Sequence, residues 1–141
     1  GLTEFGVTLG YNERDFDSDP SAYINAEGRA DYRNYNLKTR MILSLVHGWS
    51  DYVLMLRGSY WGESENYNGG NIQVHDPLWM TDAELIYSGD EITISFGVRN
   101  LFDEYPAKGT VGDTCCGRVY ESGSVIPWTG GHYFVKAKRE F

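Results

Sequence analysis

The feature that most constrains the fold is an alternation of apolar and polar side chains that recurs in six segments of similar length. In residues 91–99 every second side chain is apolar: Ile92, Ile94, Phe96 and Val98. Because successive side chains of a strand point to opposite faces, this period predicts a strand with one apolar and one polar face. The pattern recurs in residues 3–11, 35–45, 52–60, 79–87 and 132–141. The sequence therefore predicts an all-β, antiparallel fold of six strands.

The polar face of these strands is charged, and the strand ends are aromatic. The charged residues are Lys38, Arg40, Arg57, Asp82, Glu84, Arg99, Lys136 and Lys138. The aromatic residues are Tyr11, Tyr35, Tyr52, Tyr60, Trp79, Tyr87 and Tyr133. A strand of about ten residues, tilted by about 45°, spans the apolar band of an outer membrane. We therefore predict a transmembrane β-barrel in the bacterial outer membrane, with its apolar face toward lipid and its charged face toward a lumen.

The connections between the strands alternate between short and long. Tight turns are predicted around Gly48 and Gly89, and long loops cover residues 13–34, 62–77 and 102–131. Outer-membrane barrels have short periplasmic turns and long extracellular loops, so we predict that sidedness here. The three loops account for the whole formal net charge of −8. Since such an acidic surface disfavours nucleic-acid binding, no nucleic-acid partner is expected.

An open sheet of six strands would leave two unpaired edges in lipid, where backbone groups cannot bind water. We therefore expect the remaining strands to come from an N-terminal part or from another chain. The sequence begins at Gly1 without an initiator methionine or a signal peptide. This beginning suggests a processed protein or a piece of a longer one.

The segment after the fifth predicted strand reads Asn100-Leu101-Phe102-Asp103-Glu104-Tyr105-Pro106. Val98-Arg99 precede it, and Gly117-Arg118-Val119-Tyr120, Pro127-Trp128-Thr129-Gly130-Gly131 and a terminal Phe141 follow. Together these residues resemble the C-terminal end of a TonB-dependent outer-membrane receptor. Before residue 91 the resemblance is only architectural. The side chains also have physical uses, because Asn100 and Asp103 can bind local backbone where a strand ends, and Leu101 and Phe102 can anchor the turn.

The resemblance implies a 22-stranded barrel closed by an N-terminal plug. Residues 1–141 would be the C-terminal part of this barrel domain and supply its last six strands. Ligand would bind the extracellular loops and the plug, and an inner-membrane complex driven by the proton-motive force would act on the plug. The ligand expected by resemblance is a scarce nutrient, foremost a ferric siderophore or similar iron chelate. Tyr133, Val135 and Phe141 would form the signal for barrel assembly.

Three loop residues are candidates for contact with a small-molecule ligand: Tyr67, His75 and Trp128. Aromatic rings can stack on a sugar or an aromatic chelate, and a histidine can contact metal or haem. Loop packing explains Tyr67 and Trp128 equally well, and a lone loop histidine such as His75 is expected to be solvated. Residues 15–19 have the acidic spacing of a calcium loop but lack its glycine and its bidentate ligand. We therefore predict no metal site and no cofactor.

Cys115 and Cys116 lie in the last long loop, where an oxidising cell surface permits disulfides. Adjacent cysteines bond to each other only in a strained turn, so pairing with each other or elsewhere remains open. No nucleophile–base pair or phosphate loop is present, and no enzymatic activity is expected.

Two other functions fit the pattern. A passive porin predicts ion conductance without energy coupling. A secreted carbohydrate-binding β-sandwich predicts a monomer that needs no detergent and retains glycans.

Overall fold

The computed structural model describes residues 1–68, 71–109, 118–120 and 124–140. In chain order its elements are β1 (Leu2–Tyr11), α1 (Ala26–Asn34), β2 (Thr39–Trp49), β3 (Tyr52–Trp61), β4 (Ser64–Asn68), β5 (Asn71–His75), β6 (Leu78–Ser88), β7 (Ile92–Arg99) and β8 (His132–Arg139). Six strands form one antiparallel sheet in the order β1-β2-β3-β6-β7-β8, and β4 pairs with β5 in a separate hairpin. The predicted all-β, antiparallel fold is confirmed. Strands β1 and β8 are the two edges of the sheet.

The two ends of the sheet differ in their connections. At one end, here the turn end, Ser50–Asp51 joins β2 to β3 and a three-residue turn joins β6 to β7. At the opposite end, the loop end, the three long connections begin and finish. At the turn end, the Ser88 backbone N–H of β6 donates a hydrogen bond to the Asp51 carbonyl oxygen of the neighbouring turn, at 2.8 Å. The predicted alternation of short and long connections is therefore present in the sheet.

The second predicted strand is displaced along the chain. The prediction placed it at residues 35–45 with a turn at 47–50, whereas β2 runs to Trp49 and pairs that residue with Tyr52. Ser50 takes a positive φ of 48°, which allows the tighter turn, and Trp49 stacks on Tyr52 with 5.8 Å between ring centroids. Tyr35 instead ends α1, where its backbone N–H donates to the Asp31 carbonyl oxygen.

One face of the six-stranded sheet, the apolar face, is formed by side chains that lie directly opposite one another across the strands. Its members on the four central strands include Leu43, Leu45, Leu54, Leu56, Ala83, Leu85, Ile94 and Phe96. Leu56, Leu85 and Ile94 are 38–41% exposed although both neighbouring strands are paired. Since lateral neighbours are present, this exposure means that nothing in the described part of the chain covers these three side chains, whereas Val98, on the same face near the loop end, is buried.

The opposite face, the polar face, carries the charged residues and is more covered. Ser59 and Ser95 are buried there, and the side chains of Asp82 and Glu84 are only 13% and 11% exposed. Among the described residues only three large hydrophobic side chains are buried, Met80, Val98 and Ile126. A soluble protein buries apolar surface and leaves charge in water. In this sheet the apolar side chains are exposed and the two carboxylates are covered, while the side chains of Arg57, Arg99 and Lys136 are 50%, 36% and 62% exposed.

Phe134 breaks the alternation of the last strand, and the polar face explains why it is tolerated. Its ring lies over Gly97 of β7, because a methyl group built on Gly97 would lie 2.7 Å from Cε1 of Phe134. The Arg99 guanidinium carbon and Lys136 Nζ lie 5.1 Å and 4.5 Å from the ring centroid. Phe134 therefore fills a glycine gap and interacts with two cations of the charged face.

Gly97→Ala is expected to destabilise the protein by about 1–3 kcal/mol, because the added methyl group displaces the Phe134 ring. Gly10→Ala, where a new Cβ would meet only ordinary contacts at 3.7 Å, is the matched control and is expected to change stability by less than about 0.5 kcal/mol. Unfolding free energies of Gly97→Ala, Phe134→Ala and the double variant measure the coupling. A cost of Gly97→Ala that persists unchanged without the Phe134 ring would contradict this account.

Two elements in the loops were not predicted. Helix α1 begins after Asn25, whose side-chain oxygen accepts a hydrogen bond from the Gly28 N–H at 2.8 Å. The helix contacts the β4–β5 hairpin, where Asn34 Nδ2 donates to Glu65 Oε2 at 2.9 Å and the Tyr67 N–H donates to Asp31 Oδ1 at 2.7 Å. In the described ranges, no helix has the length and apolar character needed to cross a membrane.

Candidate functional site

Five charged side chains form a connected group on the polar face, here called the charged cluster: Arg57, Asp82, Glu84, Arg99 and Lys136. Strand pairing places Arg57 of β3 directly opposite Asp82 of β6. Arg57 Nε donates to Asp82 Oδ2 at 3.0 Å, and its Nη2 binds the same oxygen. Arg99 Nη1 approaches that oxygen from β7 at 3.7 Å. One carboxylate therefore holds two guanidinium groups from the strands on either side.

Glu84 extends the charged cluster toward the edge strand β8. Its Oε1 accepts from Lys136 Nζ at 3.1 Å, and its Oε2 lies 3.5 Å from Arg99 Nη2. Two carboxylates are thus shared by three cations across four strands. Such a network links the strands laterally, and its covered carboxylates contribute more than the exposed ion pairs of a protein surface.

Arg40 and Trp61 form a second contact on the polar face, closer to the loop end. They are directly opposite each other in the β2–β3 pairing, and the Arg40 guanidinium carbon lies 3.7 Å from the centroid of the Trp61 ring. Arg40 Nη1 donates to the Tyr60 carbonyl oxygen at 2.7 Å. No carboxylate in the described ranges lies within ion-pair distance of Arg40. Trp61 Nε1 is buried, and within the same ranges it has no hydrogen-bond acceptor.

A cavity of about 240 Å³ lies between these two groups and the end of the last long loop. We call it the rim cavity, and the residues that matter for its chemistry are Arg40, Arg57, Trp61, Asp82, Arg99 and His132. Three guanidinium groups therefore line it with a single carboxylate. Sequence reasoning had placed the arginines on one face, but the meeting of Arg40 with Trp61 follows only from the observed register.

Asn100 and Asp103 hold the last long loop against the sheet. Asn100 is buried, its side-chain oxygen accepts from the Glu104 N–H at 3.0 Å, and its Nδ2 donates to the Glu104 carbonyl oxygen at 2.8 Å. Its own backbone N–H donates to Asp82 Oδ1 at 2.9 Å. Asp103 Oδ1 accepts from the Gly131 N–H at 2.7 Å, just before β8. These bonds join the end of β7 to the start of β8 and to the charged cluster.

Leu101 and Phe102 lie between these two residues, and their side chains are exposed. The Leu101 backbone N–H donates to the Thr81 carbonyl oxygen of β6 at 2.7 Å. Asn100 and Asp103 take positive φ values of 50° and 56°, a conformation that asparagine and aspartate tolerate better than branched residues do. Polar hydrogen bonds therefore hold the turn, and anchoring by the side chains of Leu101 and Phe102 stays a prediction.

The Gly131 N–H and the Tyr105 hydroxyl both donate to Asp103, and they lower the pKa of its carboxyl below the ordinary value of 3.8. A carboxyl whose pKa is lower in the folded than in the unfolded state stabilises the folded protein at pH values above the unfolded pKa. This contribution is lost as the pH falls through the folded pKa. The difference in unfolding free energy between wild type and Asp103→Asn should be constant above about pH 5 and shrink below about pH 4. Unfolding titrations across this range measure it, and a difference that grows on acidification would contradict the account.

The ligand candidates of the outer loops occupy different environments. His75 is only 2% exposed, and its Nε2 lies 3.2 Å from Asn66 Oδ1, so the expectation of a solvated loop histidine is wrong. Its burial follows from the hairpin, whose covered face is polar: Ser64, Asn66, Gln73 and His75. Tyr67 is half-buried, with its backbone bound to α1. Trp128 is 43% exposed and lies beside Pro127 of the rim cavity lining.

The acidic residues of the first loop are engaged locally. Asp15 pairs with Arg33 of α1 at 2.7 Å, and the Phe16 N–H together with Arg33 lowers the pKa of its carboxyl. Asp19 accepts from the backbone and hydroxyl of Ser21. Over the described ranges, no group of three or more acidic, histidine or cysteine side chains is arranged to hold a metal ion.

The remaining predicted residues divide into two groups. Tyr133 and Val135 lie on the apolar face of the edge strand β8 and are exposed, and Tyr133 stacks on Phe96. Arg139, which interrupts the apolar alternation of β8, pairs through Nη2 with Glu91 Oε2 at 3.2 Å near the turn end. Phe141, Cys115 and Cys116 lie outside the described residues.

No protein-family model, curated protein or solved structure matches this chain.

Proposed function

We propose that this chain forms part of the wall of a bacterial outer-membrane β-barrel, as the C-terminal part of a TonB-dependent receptor. The observation that carries the proposal is the arrangement of the sheet, with a largely uncovered apolar face opposite a charged face whose carboxylates are covered. In water this arrangement exposes a contiguous apolar surface that soluble monomers avoid. In lipid it places hydrocarbon against hydrocarbon and leaves the ions in a polar interior.

The aromatic residues of the apolar face support a membrane setting. At the turn end Trp49, Tyr52 and Tyr87 form a continuous stack, and near the loop end Tyr60 packs against Trp79. Tyr52 and Tyr60 are eight positions apart on β3, about 26 Å along the strand, or roughly 20 Å across a bilayer at the usual tilt. Two aromatic girdles at about this spacing are typical of outer-membrane barrels.

The edges of the sheet define what else this wall requires. Unpaired backbone groups of β1 and β8 would be costly in lipid, so further strands must complete a closed barrel. In the proposed receptor those strands and an N-terminal plug complete the structure, and the long loops face outward. A β-sandwich is less well supported, because within the described ranges no second sheet packs against the apolar face.

The proposed activity is energised uptake of a scarce nutrient, foremost an iron chelate such as a ferric siderophore, by binding and passage without chemical conversion. The support is the resemblance of the segment from Asn100 to Pro106 to such receptors. The inner-membrane complex would act on the plug, and the chain described here would provide wall and outer loops.

Uptake measurements test this function. A strain lacking the full-length protein is complemented with it and supplied with radio-iron bound to hydroxamate or catecholate chelators. Restored uptake that stops when an uncoupler dissipates the proton-motive force is expected. Uptake that continues with the uncoupler would favour the passive porin, and absence of uptake with both chelators would overturn the iron-chelate assignment.

A further inference from the structure

We propose that the rim cavity binds a small ligand through carboxylate groups. The argument begins with its charge, because Arg40, Arg57 and Arg99 line it with Asp82 as the single carboxylate. Glu84, just beyond the lining, is matched by Lys136, so the surroundings leave the excess unchanged. This local excess of two positive charges occurs in a chain with a net charge of −8.

The donors of the cavity exceed its acceptors. Arg57 uses Nε and Nη2 on one oxygen of Asp82, and the other oxygen accepts from the Asn100 N–H. Arg40 binds only backbone carbonyl oxygens in the described ranges, at 2.7 Å and 3.2 Å. A partly covered guanidinium without a carboxylate is costly unless an anion approaches it.

Trp61 provides a second and independent observation. Its indole N–H is a donor that is buried, and within the described ranges it meets no acceptor. Buried donors without partners are uncommon in folded proteins, and Trp61 lines the rim cavity. Because the N–H itself is covered, a ligand that only accepts hydrogen bonds would meet the guanidinium groups directly and this donor only after the ring moves.

The shape of the cavity favours carboxylates. The flat guanidinium of Arg40 lies on the flat Trp61 ring, so planar groups form this wall. A guanidinium fork matches a carboxylate in two parallel hydrogen bonds. A cavity of about 240 Å³ has room for a molecule of the size of a small dicarboxylate, whose two charges equal the local excess.

This inference deepens the proposed function, because it assigns a ligand chemistry to the polar face that would line the lumen. The position at the loop end is where a ligand that passes the outer loops would first meet the wall. A chelate or nutrient that bears carboxylates is the class of substrate that this chemistry would select.

Titration of the full-length protein with succinate, followed by tryptophan fluorescence at constant ionic strength, tests the inference. A saturable change is expected with succinate and none with the neutral analogue succinamide. Trp61→Phe should abolish the fluorescence change, and calorimetric titration measures binding independently of the fluorophore. Equal responses to succinate and succinamide, or no saturable response to either, would overturn the proposal.

Arg40→Gln is expected to weaken succinate binding at least about tenfold, since it removes a charge-assisted hydrogen-bond donor. Arg40→Lys should restore part of the affinity. Arg14→Gln, at an exposed arginine of the first loop, is the charge-matched control and should leave binding unchanged. Equal affinity of Arg40→Gln and wild type would overturn the assignment.

The comparison of succinate with succinamide on wild type needs no variant to fold. If the protein inserts into lipid and imports iron chelates but does not respond to succinate, only the inference of a carboxylate site is overturned. If it binds succinate but does not insert into lipid, only the proposed function is overturned.

Discussion

Leu56→Lys is expected to destabilise the proposed membrane barrel by about 2–4 kcal/mol, the cost of a lysine at the midplane of an outer-membrane barrel. Leu56 lies near the middle of β3 on the apolar face, directly between Leu45 of β2 and Ala83 of β6. A lysine there would place its ammonium group in hydrocarbon, with no carboxylate on the neighbouring positions. Equilibrium unfolding by guanidinium in phospholipid vesicles measures the change.

Met55→Lys is the matched control, because the adjacent residue of β3 lies on the opposite face. Met55 is half-exposed on the polar face, directly between Val46 and Glu84. Its replacement by lysine adds a charge beside a carboxylate and is expected to change stability by less than about 1 kcal/mol. If Leu56→Lys is tolerated as well as Met55→Lys, or improves solubility without detergent, the apolar face does not contact lipid.

Asp82→Ala is expected to cost about 2–3 kcal/mol. The substitution leaves Arg57 and Arg99 without their shared carboxylate and removes the acceptor of the Asn100 N–H. The complete loss of a buried ion-pair partner costs about 3–5 kcal/mol, and the value is reduced here because both arginines are partly exposed. Asp82→Asn retains an acceptor for Asn100 and should fall between Asp82→Ala and wild type.

Asp90→Ala provides the control for loss of a carboxylate. Asp90 is exposed in the turn between β6 and β7, so its replacement should change stability by less than about 0.5 kcal/mol. The stability of both variants is measured by the temperature at which the folded form disappears on semi-native gels and by denaturant titration. Equal stability of Asp82→Ala and Asp90→Ala would show that the charged cluster does not hold the strands together.

Sequence alone predicted which side chains share a face more reliably than which residues are opposite one another. A turn at residues 47–50 would pair Arg40 with Arg57, and like charges directly opposite destabilise a sheet. The observed turn at Ser50–Asp51 instead pairs Arg40 with Trp61 and Arg57 with Ser44. The shift is four residues, an even number, so each side chain stays on its predicted face.

The periodicity of apolar residues could not predict the elements in the loops. Helix α1 buries none of its residues and shows no apolar stripe, so the helix signal is limited to its ends: the Asn25 cap, Glu27 in the first turn and Arg33 in the last turn. The β4–β5 hairpin covers its polar face and exposes Ile72 and Val74, opposite to the usual pattern. The burial of His75 depends on this packing of the hairpin, so the sequence pattern predicted a solvated loop residue instead.

The candidate site combines predictable and unpredictable parts. The charged residues of the polar face follow from alternation, and the local hydrogen bonds of Asn100 and Asp103 follow from their position after a strand. The link from Asn100 to Asp82 and the rim cavity depend on the pairing of strands far apart in sequence. Such contacts require the register, which local pattern does not specify.

Site-directed spin labels test the central claim most directly. In full-length protein with Cys115 and Cys116 replaced by serine and reconstituted in lipid vesicles, labels replace Leu54 and Ile94 on the apolar face, and Met55 and Thr93 on the polar face. We predict high collision rates with oxygen and low rates with a water-soluble nickel reagent at Leu54 and Ile94, and the reverse balance at Met55 and Thr93. High nickel accessibility at Leu54 and Ile94 would contradict the account.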